Sequence, residues 1–185
     1  MGPKKLTNTV LRQAAEKRIT DGLKRFPIYL ILDNIRSVHN VGALFRTADA
    51  VGVEKVFLCG ITAFPPRPDL DKTACKTTAY VDWEYRKNAY LVIQKLRKRG
   101  VQIVVLEQSN RSGDYRTTEY CFPLALVIGN EVDGVNQKNL ELADRIIDIP
   151  MFGFANSLNV TTAAGVVLYQ IIDQLNKYGT VHIKN

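Results

Sequence analysis

The chain has 185 residues, 46% hydrophobic and 23% charged, enough for one domain with a substantial core. No apolar run approaches membrane-spanning length and the N-terminus is charged. Cys59, Cys75 and Cys121 form neither a disulfide framework nor a zinc-ligand spacing. The expectation is a cytoplasmic protein with reduced thiols, no metal and no membrane. Net charge is +7 and the sequence pI about 9.4; this favours an anionic partner such as RNA, DNA or an acidic surface.

Residues 1–26 read as a basic helical segment ahead of a domain spanning 27–185. Lys4, Lys5, Arg12, Lys17, Arg18, Lys24 and Arg25 stand against only Glu16 and Asp21, which puts most of the net charge here. Val10, Leu11, Ala14, Ala15, Ile19 and Leu23 recur at helical spacing. Two readings stand: one face packs on the body while the other meets phosphates, or the cations are a solvated face.

PIYLILD (27–33) is a continuous apolar run, as in a strand buried on both faces. NIRSVHN follows as a loop. Val41, Leu44, Phe45, Ala48 and Val51 then make one helical stripe, with Asn40 placed to cap the helix and Gly52 to end it. Arg46 lies off that stripe. A strand at 54–60 completes a strand–helix–strand unit. The stretch 61–80 is proline-broken and carries Arg67, Lys72 and Lys76; it reads as a long substrate-side loop.

A helix is expected over 88–99, with Leu91, Val92, Lys95 and Leu96 on its stripes. Its terminal KLRKR complements the helix dipole and needs no RNA to explain it. Strands follow at 101–108, 123–131 and 145–150, with a short helix at 136–144 and a last helix opening near Ser157. Five strands alternating with helices predict an α/β fold, a parallel sheet flanked by helices. The last helix carries Val160, Ala163, Ala164, Val167, Leu168, Ile171 and Leu175 on one stripe, broadened by Val166 and Ile172. That much apolar circumference predicts burial on more than one side, the second being a dimer contact.

No G-x-G-x-x-G, P-loop or G-x-S-x-G is present, so dinucleotide, P-loop and α/β-hydrolase sites are unsupported. His39 reads as structural or substrate-orienting, and His182 as without a role. Three motifs remain: N-x-G-A-L-x-R-T-A-D from Asn40 to Asp49, I-G-N-E-V-D-G-V from Ile128 to Val135, and I-P-M-x-G-x-x-x-S-L-N-V from Ile149 to Val160.

Together and in this order, the motifs resemble the signatures of the SpoU (TrmH-like) branch of the SPOUT RNA 2′-O-ribose methyltransferases, over about residues 27–175. The resemblance implies a SPOUT fold with a C-terminal deep trefoil knot, a homodimer, S-adenosylmethionine as cofactor and tRNA or rRNA as substrate. It makes Arg46, Asn40, Glu131, Ser157 and Asn159 the catalytic group. It assigns the cofactor to Leu106, Glu107, Ile128, Gly129, Ile149, Met151, Ser157 and Leu158. The resemblance gives Arg46 the RNA contact; the charge pattern of the N-terminal segment and the 61–80 loop adds Arg12, Lys17, Arg18, Lys24, Arg25 and Arg67 as RNA-binding candidates. Arg46 is expected near the methyl donor of the other protomer; a guanidinium stays protonated, so it positions and activates RNA rather than acting as a simple base. The other reading is a non-catalytic RNA-binding module that kept the fold. An oxidoreductase fails on the missing glycine fingerprint.

Overall fold

The computed structural model describes residues 2–178; His182 and the end of the expected domain lie outside them. The elements are α1 (Asn8–Thr20), β1 (Phe26–Asp33), α2 (Val38–Val51), β2 (Val53–Cys59), α3 (Pro68–Ala74), β3 (Trp83–Arg86), α4 (Ala89–Lys98), β4 (Gln102–Leu106), β5 (Gly113–Asp114), β6 (Leu124–Ile128), α5 (Gln137–Leu140), β7 (Arg145–Asp148) and α6 (Val160–Tyr178).

The strands form one parallel sheet in the order β3-β2-β1-β6-β4-β7-β5. Successive side chains of a strand point to opposite faces, and the two cores follow that rule. Ile28, Leu30 and Leu32 of β1, with Leu124, Leu126 and Ile128 of β6, join α2, α3 and α6 on one face. Tyr29, Ile31, Ala125 and Val127 join α4 and Val135 on the other. Each fully buried aliphatic side chain contributes about 1.5–3 kcal/mol of transfer energy, and β1 and β6 supply both faces. The centre of the sheet is therefore the most firmly held part.

Two of the seven strands and one helix depart from the sequence reading. β3 and β5 add to the expected five; they have four and two residues, too few for an alternating pattern to register. The stretch 61–80 is not one long loop. Pro68 opens α3 at a first-turn position, where its missing N–H costs nothing, and Asp69 and Asp71 complement the dipole. α2 also starts earlier than expected: Ser37 is its cap and accepts from the Asn40 N–H at 3.3 Å, so Asn40 is an interior first-turn residue. Gly52 does end it, at φ 72°. In α4 the buried residues are Ala89, Val92, Ile93 and Leu96, while Leu91 faces outward.

α6 buries Ala164, Val167, Leu168, Ile171 and Leu175. Val160, Ala163, Val166 and Ile172 are only half-buried and Tyr169 is exposed, so its second side is incompletely covered within one chain. Its polar edge is used as well. Gln174 donates to the Thr118 carbonyl at 2.8 Å and accepts from the Tyr120 N–H at 3.3 Å, while Gln170 donates to the Arg116 carbonyl at 3.4 Å. The irregular stretch between β5 and β6 has its backbone satisfied by this helix. α1, by contrast, has no buried residue, so neither of its faces packs on the body.

Gly42 of the first motif has a packing reason. A Cβ there would stand 2.7 Å from Thr73 Cβ and 3.0–3.1 Å from the backbone of Ala74 and Leu70. Gly42→Ala gains about 1 kcal/mol of helix propensity, but overpacking against backbone that cannot step aside costs roughly 1–3 kcal/mol. The expected result is a net loss of stability with α3 displaced, read as a lower urea midpoint at unchanged m-value; a raised midpoint would contradict the α2–α3 contact.

Candidate functional site

From β1 the chain builds outward through β2 and β3 on one side, then returns through α4 to β4 on the other side of β6. The reversal leaves a crevice at the carboxyl ends of β1, β6 and β4, where open α/β sheets bind ligands. Four loops meet there, following β1, β4, β6 and β7.

The loop after β6 is the most constrained. Asn130 and Gly134 exchange backbone hydrogen bonds at 3.1 and 3.0 Å, and Asn130 Oδ1 accepts the N–H groups of Val132 and Asp133 at 2.8 and 3.1 Å. The asparagine side chain thus closes the turn on itself. A Cβ at Gly129 would lie 2.3–2.5 Å from the backbone of Gly134 and Val135, and one at Gly134 would lie 2.2 Å from Glu107 Oε2. Glu107 accepts from Val135 N–H at 2.9 Å and Gln108 N–H at 2.8 Å. It ties the turn to the end of β4.

At the turn's exposed side, Glu131 gathers the start of α2. Oε2 accepts from Arg36 N–H at 2.8 Å; Oε1 accepts from Ser37 N–H at 3.0 Å and Asn40 Nδ2 at 2.7 Å. Burial alone would raise its carboxyl, but these donors outweigh that and hold it below the ordinary value. The positive end of the α2 dipole acts in the same sense. Asn40 Oδ1 in turn accepts from Asn159 Nδ2 at 3.4 Å, and Asn159 Oδ1 accepts from Thr161 N–H at 2.9 Å and Thr161 Oγ1 at 2.6 Å. Asn159, not Ser157, therefore caps α6. One relay, Glu131–Asn40–Asn159, joins the three sequence motifs.

Beside it opens a cleft of about 730 Å³, within the range of small-molecule sites. Leu106, Glu107, Ile128, Gly129, Ile149, Met151, Ser157 and Leu158 all line it, as do Glu131 and Asn159. Gln108 donates to the Asn156 carbonyl at 2.6 Å and closes one wall. Asn40 stands behind Glu131 and Asn159. Arg46 does not line the cleft of its own chain; it is exposed on α2 and has no hydrogen bond or ion pair among the described residues. Residues not singled out from the sequence include Asn130, whose turn-closing role an Asn two residues after a strand could have suggested, and Gln108, which carried no signal.

The proposed RNA contacts are dispersed. Arg12 pairs with Glu16 at 3.5 Å on exposed α1, where Lys17 and Arg18 are also exposed. Lys24 lies 4.6 Å from the Phe26 ring centroid. Arg25 is engaged by the body: it donates to the Tyr80 carbonyl and lies 3.9 Å from Asp49. Arg67 is held by both oxygens of Asp69 at 2.9 Å. His39 contacts Thr73 Oγ1 at 3.0 Å. Among the described residues no cluster of His, Cys, Asp and Glu could hold a metal, and no helix is long and apolar enough to cross a membrane.

The family model described as the SpoU rRNA Methylase family matches residues 27–169. The tRNA (guanosine(18)-2′-O)-methyltransferase of Aquifex aeolicus is 36% identical over 172 residues, 91% of this chain and 77% of that protein. The 23S rRNA (guanosine-2′-O-)-methyltransferase RlmB of Neisseria meningitidis is 34% identical over 81% of this chain and 60% of its own length. Among solved structures, the A. aeolicus TrmH/SpoU tRNA modifying enzyme superposes with a TM-score of 0.80 at 31% identity, covering 92% of this chain and 87% of that one. The AdoMet-bound rRNA methyltransferase from Sinorhizobium meliloti gives 0.76 at 31% identity, covering 82% and 58%.

The Glu131 clasp has a pH signature. Its carboxyl is depressed from 4.5 on folding, so its contribution to stability is present above that value and lost as pH falls through the lower folded-state value. Glu131→Gln should lower the urea midpoint at neutral pH and flatten its fall on the acid side; parallel acid limbs for the two proteins would rule out the clasp as the source.

Proposed function

The chain belongs to the SpoU rRNA Methylase family, and we propose that it methylates a ribose 2′-hydroxyl of RNA with S-adenosylmethionine as donor, tRNA being favoured over rRNA. The observation that carries this reading is the Glu131–Asn40–Asn159 relay at the lip of the cleft, built from all three motifs. The cleft suits the donor: its walls come from the loops after β4, β6 and β7, and Gly129 and Gly134 keep side chains out of the turn that lines it. Leu106, Ile128, Ile149, Met151 and Leu158 offer apolar surface to an adenosyl group, and Ser157 has an unengaged hydroxyl beside them.

When bound, S-adenosylmethionine supplies an electrophilic methyl on a sulfonium. The chain's own work is to hold the ribose in line and assist loss of its proton. Glu131 is poorly suited as the base, because both its oxygens already accept from the α2 start; it keeps α2, and so Arg46, in register. Arg46 remains a cation, attracts the RNA phosphate beside the target ribose, and leaves the proton to a phosphate oxygen or water. Since Arg46 does not line its own cleft, the reading includes a homodimer in which it serves the partner's cleft, with the half-covered side of α6 at the contact. It also includes a cytoplasmic enzyme and a knotted C-terminus. In support of the knot, β7 lies between β4 and β5, two strands that precede it in the chain.

The direct test is S-adenosylmethionine binding by calorimetry together with methyl transfer to bulk RNA; binding without transfer would leave only an RNA-binding module. Arg46→Ala should lower kcat by about 10²-fold or more while cofactor affinity stays within a few-fold. A large loss of cofactor binding would remove Arg46 from this role. Deleting residues 1–24 leaves the body intact, because α1 buries nothing. It should weaken RNA binding and reduce the salt dependence of the association constant, as lost phosphate contacts release fewer counterions. An unchanged slope would make α1 a solvated helix only.

A further inference from the structure

The last residue of β1 is a buried carboxylate that, among the described residues, no lysine, arginine or histidine pairs. Asp33 is 4% exposed, and its partners are three asparagine amides. Oδ1 accepts from Asn34 Nδ2 at 2.8 Å; Oδ2 accepts from Asn139 Nδ2 at 2.6 Å and from Asn136 Nδ2 at 3.4 Å. A charge out of water is expensive unless it is hydrogen-bonded, and burial pushes this carboxyl up despite the amides of Asn139 and Asn34. Such a group needs a reason to be there.

The geometry supplies one. Asn34 sits at φ 60°, and its carbonyl accepts from Asn130 Nδ2 at 2.8 Å. Asn136 caps α5, accepting from Asn139 N–H at 3.1 Å, and follows the 129–135 turn directly. Asp33 therefore grips the turn at both ends: through Asn34 and Asn130 at its start, and through Asn136 and Asn139 at its finish. Asn139 is 1% exposed, and its Oδ1 has no partner at all. Its amide is committed to Asp33, whose carboxyl oxygen fixes which way that amide points.

We propose that Asp33 is a positioning residue for the cofactor cleft: acting through Asn139, Asn136 and Asn34, it sets where the 129–135 turn, with Gly129 and Glu131, stands relative to β1 and α2. This rests on the reading of the cleft as an S-adenosylmethionine site. Asp33 touches nothing in the cleft itself, so its effect must travel through the turn.

The test is calorimetric titration of S-adenosylmethionine into the full-length protein and into Asp33→Ala, Asn139→Ala, the double variant and Asp33→Asn, each with a melting curve. Each alanine variant should raise the Kd about tenfold, the scale of one lost hydrogen bond to a charged group. The double variant should be no more than about twofold worse than either single, because the two side chains act as one unit. Asp33→Asn should recover to within about threefold of wild type, since Asn139 can turn its amide and offer its unpartnered Oδ1. Lower melting temperatures with unchanged Kd would reduce Asp33 to a fold-stabilising residue and overturn the proposal, as would additive losses. If Asp33→Ala does not fold, the isosteric Asp33→Asn and Asn139→Ala carry the comparison, and equal affinity to wild type in Asn139→Ala overturns it. Absence of binding by the wild-type protein is a different outcome: it defeats the reading of the cleft, and the anchor with it.

Discussion

Glu131 ties a helix start to the wall of the cleft. At the entry to α2, its cap Ser37 and the preceding Arg36 turn their N–H groups toward a carboxylate from another strand loop. The same carboxylate takes the Asn40 amide, and Asn40 reaches the cap of α6. Elements from opposite ends of the chain are thereby ordered by one charge. Removing it would free the β1 loop, the helix carrying Arg46 and the opening of α6 together.

Beneath that clasp, close backbone packing and the two apolar cores are joined by a few polar ties. Gly129 and Gly134 let the turn fold back on itself, Glu107 sews it to β4, and β1 and β6 carry the two cores that hold the crevice open. A turn that is already closed has little conformational freedom left to lose when a ligand arrives.

Much of this was legible in the sequence because it obeys simple periods. β1, α2, β6 and α6 have long or strongly patterned apolar sets, and the buried residues of α2 are the stripe that spacing alone selects. The eight residues assigned to the cofactor by resemblance line one cleft. The errors have physical causes. Asn40 looks like a cap because asparagine favours caps, yet Ser37 competes for the position and wins, which frees the Asn40 side chain for Glu131. Ser157 looks like the opening of α6, but Asn159 holds the Thr161 N–H. β5 is too short to have a period, and α3 is masked by the prolines that also start it. The Asp33 cluster was invisible because an Asp-Asn pair after a strand reads as an ordinary turn.

The place of β7 between β4 and β5 has a consequence for biosynthesis. β4 and β6 can emerge and pair before β7 and α6 exist, leaving the outer edge of β4 without a neighbour and β5 with no strand to join. Unpaired strand edges are templates for association with other chains. Until the C-terminal segment has docked, that edge and the backbone groups of 116–120 that Gln170 and Gln174 satisfy stay open. Ribosomal stalling or truncation ahead of α6 would thus yield aggregates rather than a smaller soluble domain.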